Sequence, residues 1–200
     1  MLKIGITGGI GSGKTTVCEL FRLLQIPVFN ADLSAKNIMD NHPFVRENLT
    51  ARLGAEIYAN GILNPKLLAR IIFTHPEHLS MVNQLVHPLV QDDFGEWVHH
   101  QTAPYILMEA AILFESGTYK LLDGIILVSA PEKVRIDRVI KRDHLQAEEI
   151  KRRIASQCSE EEKMQKSDYV IVNDEKQALI PQVLKLDSIL RLKHSELTVV

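Results

Sequence analysis

Cysteine is scarce in this chain: two in 200 residues, Cys18 and Cys158, are too few for a disulfide framework. Neither stands at a metal-ligand spacing. Cys18 falls inside an apolar helical pattern and reads as a small core residue. No apolar run approaches the roughly 20 residues of a membrane helix. Residues 1–20 carry glycines and Lys14 where a secretory signal needs an uninterrupted apolar stretch. A surplus of one charge is missing as well. Lys+Arg of 23 against Asp+Glu of 25 leave −2, which argues against a bulk nucleic-acid binder and leaves room only for a local basic patch. Internal repeats and low-complexity tracts are absent too. These absences point to a cytoplasmic protein with no membrane or nucleic-acid partner. The sequence does not fix the oligomeric state; a monomer or weak homo-oligomer is the expectation.

What is present reads as a globular α/β chain. Hydrophobic residues at 46% and charged residues at 24% suit one domain, with room for insertions. Five short apolar runs read as strands: residues 2–7 (LKIGIT), 26–32 (IPVFNAD), one within 104–115 (PYILMEAAILFE), 124–130 (GIILVSA) and 168–173 (DYVIVN). Helical segments separate them, which implies parallel pairing through crossovers and a sheet covered on both faces. Residues 33–103 are too long for one crossover and read instead as several helices punctuated by proline and glycine, an insertion on the sheet. Residues 132–167 are dense in both charge signs and thin in apolar content, so a helical segment standing away from the core is expected there.

Chemistry enters at residues 7–16, TGGIGSGKTT. Gly8, four residues, then Gly13, Lys14 and Thr15 satisfy the phosphate-loop spacing G-x-x-x-x-G-K-[ST]. Glycines let backbone N–H groups surround a phosphate, and the following helix adds its positive N-terminal end. Gly9, Gly11, Ser12, Gly13 and Thr16 complete the cradle. Lys14 brings a compact positive charge to the β/γ oxygens of ATP, and the Thr15 hydroxyl suits Mg²⁺. An apolar strand precedes the run and an amphipathic helix, with Val17, Leu20, Phe21 and Leu24 on one face, follows it. The dinucleotide fingerprint fails, because it needs glycine where Lys14 stands.

Three classes of protein use such a loop. A GTPase should show an N-K-x-D guanine clamp, and residues 172–175 (VNDE) lack it. A mechanical ATPase usually needs a longer chain. A kinase needs a group facing the acceptor, and Asp32, placed by the pattern at the carboxyl end of the second strand, could take the proton of an attacking hydroxyl or orient it. Asp32 suits equally well as the cap of the next helix. A nucleoside or nucleotide kinase and a non-enzymatic nucleotide sensor remain open on these residues alone.

Several motifs, in this order, resemble the dephospho-CoA kinase family: TGGIGSGKTT, then NAD at 30–32, HPL at 87–89, ILFE at 112–115, RI..Q at 153–157, and SDYVIVN at 167–173. The resemblance covers nearly the whole chain. It implies a single P-loop kinase domain in which a parallel five-stranded sheet carries helices on both faces. The core would be residues 1–32, 104–131 and 166–200, with a substrate-binding insertion at 33–103 and a lid at 132–165. It further implies transfer of the ATP γ-phosphate to the 3′-hydroxyl of dephospho-CoA, with Mg²⁺, in the last step of coenzyme A biosynthesis. Three departures stand out. Asn30 stands where the family usually has aspartate, Ala111 where it usually has proline, and Pro65 where arginine is common.

The resemblance also ranks further residues. Arg138 and Arg142 share a helix face and, in a lid, would close over the triphosphate; without it they read as a solvated face paired with Asp137 and Asp143. Arg142 is thereby assigned to catalysis with Asp32 and Lys14, and Arg138 to the nucleotide; Arg153 is a weaker candidate. Glu109 ends the third strand, where an acid near Mg²⁺ is common, and Glu115 would face substrate or metal; either could instead be a helix-start acid. His87, otherwise a packed structural histidine, becomes a substrate residue with Asp32 and Glu115. Asn173 would frame the adenine edge or simply make a turn. The pairs His75/His78 and His99/His100 make no convincing metal site.

Overall fold

The computed structural model describes residues 1–59, 61–144 and 146–198; the last two positions of the C-terminal segment 176–200 lie outside it. The chain divides into two compact units, one of Met1–Asn30 with His100–Val200 and one of Ala31–His99.

The first unit is built on five parallel strands: β1 (Leu2–Thr7), β2 (Val28–Asn30), β5 (Tyr105–Glu109), β6 (Gly124–Ser129) and β7 (Tyr169–Val172), in the spatial order β2-β5-β1-β6-β7. All five were legible as apolar runs, and for the inner strands burial explains why. β5 is buried at every residue and β6 at all but Ser129, the mark of strands covered on both faces. Helix α1 (Lys14–Leu23) packs Val17, Cys18 and Phe21 into the core beside Ile4, Ile6 and Tyr105. Fully burying a side chain of that kind contributes about 1.5–3 kcal/mol. The C-terminal helix α9 (Leu179–Thr198) adds Val183, Leu186 and Leu190 to the same core. It is locked there by Tyr105, whose hydroxyl donates to Asp187 Oδ1 at 2.7 Å, while Arg191 Nε donates to the same carboxylate at 2.9 Å. Burial first, then the Asp187 hydrogen bond, pushes the Tyr105 hydroxyl well above its ordinary pKa.

The strand order puts β1 in the centre, between β5 and β6. The ends of β1 and β5 therefore open side by side at the carboxyl edge, the edge where parallel α/β sheets bind ligands. Thr7 leads from that edge directly into the glycine run, and Glu109 closes β5 beside it, with Ile6 in register with Glu109.

The second unit holds α2 (Ala31–Asn41), α3 (Pro43–Leu53), α4 (Pro65–Thr74) and α5 (Pro76–His99). Its own core gathers Ile38, Val45, Leu49, Val82, Val86 and Phe94. The sequence reading expected only helices here. The structure adds an antiparallel pair, β3 (Tyr58–Ala59) with β4 (Ile62–Leu63), tied to the preceding turn by Asn64 N donating to Ile57 O at 2.7 Å. Two residues per strand are too few to show a period-2 pattern.

A second correction concerns residues 132–167. They form α6 (Glu132–Asp143), α7 (Ala147–Ala155) and α8 (Glu160–Gln165), and these do not stand away from the core. Val139 is 1% exposed, Ile150 0% and Lys163 1%. Burial falls on few apolar side chains plus whole long charged ones such as Lys163, which a count of apolar residues overlooks.

Candidate functional site

The loop takes the conformation its glycines allow. Gly11 and Gly13 have φ of 78° and 90°, the left-handed region that side chains avoid. Ser12 N donates to Gly9 O at 3.0 Å and closes the turn. Lys14 Nζ donates to Gly8 O at 2.6 Å, so its charge is folded across the mouth of the loop. Lys14, Thr15 and Thr16 form the first turn of α1, whose N–H groups have no acceptor within the helix and favour an anion.

The acid at the end of β5 faces this turn. Thr15 Oγ1 donates to Glu109 Oε1 at 3.0 Å, and Asn30 Nδ2 donates to Glu109 Oε2 at 2.9 Å. Glu109 is 4% exposed. The same carboxylate also faces Cys18. Burial first, then Glu109, pushes that thiol well above its ordinary pKa, so it stays protonated and packs as a core residue. A hydroxyl and a carboxylate in contact are hard oxygen donors of the kind Mg²⁺ takes, so the residues present fit that ion. Ser12 Oγ is buried in the loop with no hydrogen-bond partner among the described residues, which fits a cradle that an anion completes.

Asn173 and Arg138 hold the loop from its carbonyl side. Asn173 Nδ2 donates to Ser12 O at 2.8 Å. Arg138 Nη1 donates to Gly11 O and Ser12 O at 3.4 Å, and Nη2 donates to the backbone and side-chain oxygens of Asn173 at 3.2 Å. A Cβ on Gly13 would lie 2.2 Å from the Asn173 amide, so this clamp needs glycine there.

Helix α6 separates the arginines that the pattern grouped together. Arg142 is turned to its neighbour, with Nε and Nη2 on the two oxygens of Asp143 at 2.7 and 2.8 Å. That hydrogen-bonded pair raises the Arg142 pKa and lowers the Asp143 pKa. Arg153, on α7, is paired one turn back with Glu149 at 2.7 Å. Glu115 accepts from Cys158 N at 2.7 Å and lies 3.7 Å from the ammonium of Lys163, so it anchors the α7–α8 connection. Sequence reasoning saw Glu115 but not these partners, which lie far along the chain.

Asp32 and His87 belong to the second unit. β2 stops at Asn30, so Asp32 is not the end of a strand; it is an exposed residue in the first turn of α2. A carboxylate there is favoured by the helix dipole. His87 sits within α5, half-buried, beside the helix-interior Pro88. Burial holds its pKa below the ordinary imidazole value.

A family model for dephospho-CoA kinase matches residues 2–178. A dephospho-CoA kinase of Bacteroides fragilis is 42% identical over 193 residues, covering 96% of this chain and 94% of its own. The chain belongs to the dephospho-CoA kinase family. Among solved structures, a Thermus thermophilus protein overlays with TM-score 0.84 at 36% identity, over 94% of this chain and 96% of its own. The dephospho-CoA kinase of Campylobacter jejuni overlays with TM-score 0.67 at 25% identity, over 93% and 95%. Family membership makes the protein a kinase, a transferase moving phosphate from a nucleotide to an alcohol group.

Two departures from the family pattern now have a local account. An aspartate in place of Asn30 would set a second carboxylate against buried Glu109, whereas the amide donates to it. Pro65 opens α4 directly after Asn64, whose side chain accepts from Leu67 N at 3.1 Å, so proline serves as a helix start. Among the described residues no helix is long and apolar enough to cross a membrane.

Proposed function

We propose that this protein transfers the γ-phosphate of ATP to the 3′-hydroxyl of dephospho-CoA, giving CoA and ADP, the last step of coenzyme A biosynthesis. The observation that carries the reading is the contact of Thr15 with Glu109 beneath a complete phosphate loop, in a chain of this family. Lys14 and the N–H groups of the α1 turn bind and polarise the phosphates, and Gly9, Gly11, Ser12 and Gly13 shape the cradle. Thr15 would hold Mg²⁺, with Glu109 orienting the Thr15 hydroxyl, and a bound ion would supply positive charge to the phosphates.

Asp32 accepts the proton of the acceptor hydroxyl as that oxygen bonds to the γ-phosphorus and the bond to the β-phosphate oxygen breaks. Arg138 and Asn173 frame the nucleotide, and Arg142, released from Asp143, completes the charge shell on the transferred group. His87 and Glu115 contribute to holding the substrate. In domain terms, residues 33–103 serve as the substrate-binding insertion of a single kinase domain and 132–165 as its lid. The enzyme works in the cytoplasm on small molecules, as a monomer or weak homo-oligomer without nucleic-acid or membrane partners.

The test is ADP release in a coupled assay with dephospho-CoA and, in parallel, nucleosides and nucleoside monophosphates. Turnover with dephospho-CoA alone is expected. Preference for a nucleoside would replace the acceptor, and ATP binding without stoichiometric ADP release would make the protein a sensor instead.

A further inference from the structure

Helix α6 carries a third arginine that the roles above do not use. Arg135 is 6% exposed, while the side chain of Arg142 is 66% exposed. Its guanidinium lies against the phosphate loop, so a Cβ on Gly9 would sit 1.8 Å from Arg135 Nη1. The backbone follows, since a Cβ on Gly11 would sit 2.4 Å from the Arg135 carbonyl oxygen. The backbone approach requires glycine at position 11, and a side chain at position 9 would have to displace the guanidinium.

The charge of Arg135 is poorly matched by protein. Its carboxylate partner is Glu160, at the start of α8, and the Nη1–Oε2 separation is 3.9 Å, the outer limit of an ion pair. Arg135 Nε and Glu160 Oε1 are each buried with no hydrogen-bond partner among the described residues. A buried guanidinium in that state is costly unless an anion comes close enough to compensate it. Against the glycines of a phosphate loop, the anion that could supply that compensation is a bound polyphosphate.

We infer that Arg135 is a positioning residue of the donor site. It braces the Gly9–Gly11 side of the loop, and its weakly neutralised charge adds to the field that retains the triphosphate. Glu160 opposes that charge and sets its strength. The inference rests on the nucleotide-loop reading but not on the identity of the acceptor.

Calorimetric titration of ATP into Arg135→Met and Glu160→Gln, at low and moderate salt, tests it. Arg135→Met should weaken ATP binding about tenfold, and Glu160→Gln should tighten it about threefold, as expected for one charge acting across the loop. The KM for dephospho-CoA should stay as in the wild type in both. Arg135→Lys should restore part of the affinity, because it keeps the charge and loses the planar fork.

Opposite signs in the two variants are what a purely structural brace would not produce, since breaking a brace from either end loosens the same loop. Changes of the same sign, or ATP affinities within twofold of wild type in both, overturn the inference. If Arg135→Met does not fold, Glu160→Gln decides alone: tighter binding sustains it, and weaker or unchanged binding ends it. Failure of the kinase reading shows separately, as wild-type protein that binds ATP without turning over dephospho-CoA.

Discussion

In the sheet unit, the polar side chains that carry chemistry hold one another. Thr15 bonds Glu109, Glu109 bonds Asn30, and Arg138 and Asn173 clamp the carbonyls of the loop. In the helical unit, polar side chains mostly bond the backbone: Asn64 caps α4, Tyr58 donates to Met39 O, and Arg46 reaches Gly61 O while lying 4.4 Å over the Tyr58 ring. On the proposed function, the difference separates two kinds of recognition. Phosphate is a small, uniform anion that one contiguous loop and one helix terminus can enclose. A bulky acceptor has no such local signature, and residues such as Asp32 and His87 lie on different helices of that unit.

The largest blow to the donor side is Lys14→Ala. Turnover should fall about 10³-fold, the scale of losing one preorganised charge at the phosphates, with ATP affinity lost alongside it. Wild-type ATP affinity in that variant, by titration, would break the assignment of the loop as the donor site. Glu109→Gln is expected to act more mildly, raising the Mg²⁺ concentration needed for half-maximal rate about tenfold, as losses of orienting groups behind a metal ligand do. An unchanged Mg²⁺ titration would detach Glu109 from the ion. Tyr105→Phe sharpens the comparison from within the same unit. It removes the buried hydroxyl–Asp187 bond and should lower stability by about 1–3 kcal/mol in denaturant melts while leaving both KM values unchanged. A matching loss of activity would mean that the α9 anchor and the site are coupled.

Much of this was legible in the order of residues. The inner strands β5 and β6 show as apolar runs because they are covered on both faces, and the loop shows because its spacing is the one a phosphate cradle requires. Glu109 could be singled out as a strand-ending acid, though not its grip on Thr15 and Asn30. Arg135 could not be found at all. It stands beside Asp137 and Arg138 in a segment that reads as a solvated charged face, and only the approach of α6 to Gly9 and Gly11 buries it. Glu115 was visible as part of ILFE, but its partners Cys158 and Lys163 are brought to it by tertiary folding. The two-residue strands β3 and β4 are shorter than any periodicity a sequence can display.

The claim at the centre of this account is that donor binding and the handling of the acceptor hydroxyl are carried by separate residues. Asp32→Asn, assayed for ATP affinity and for turnover on one preparation, tests it most directly. ATP affinity should match the wild type while turnover with dephospho-CoA falls about 10²-fold or more, the usual contribution of a positioned general base. Near-normal turnover, or ATP binding lost in step with activity, would contradict it.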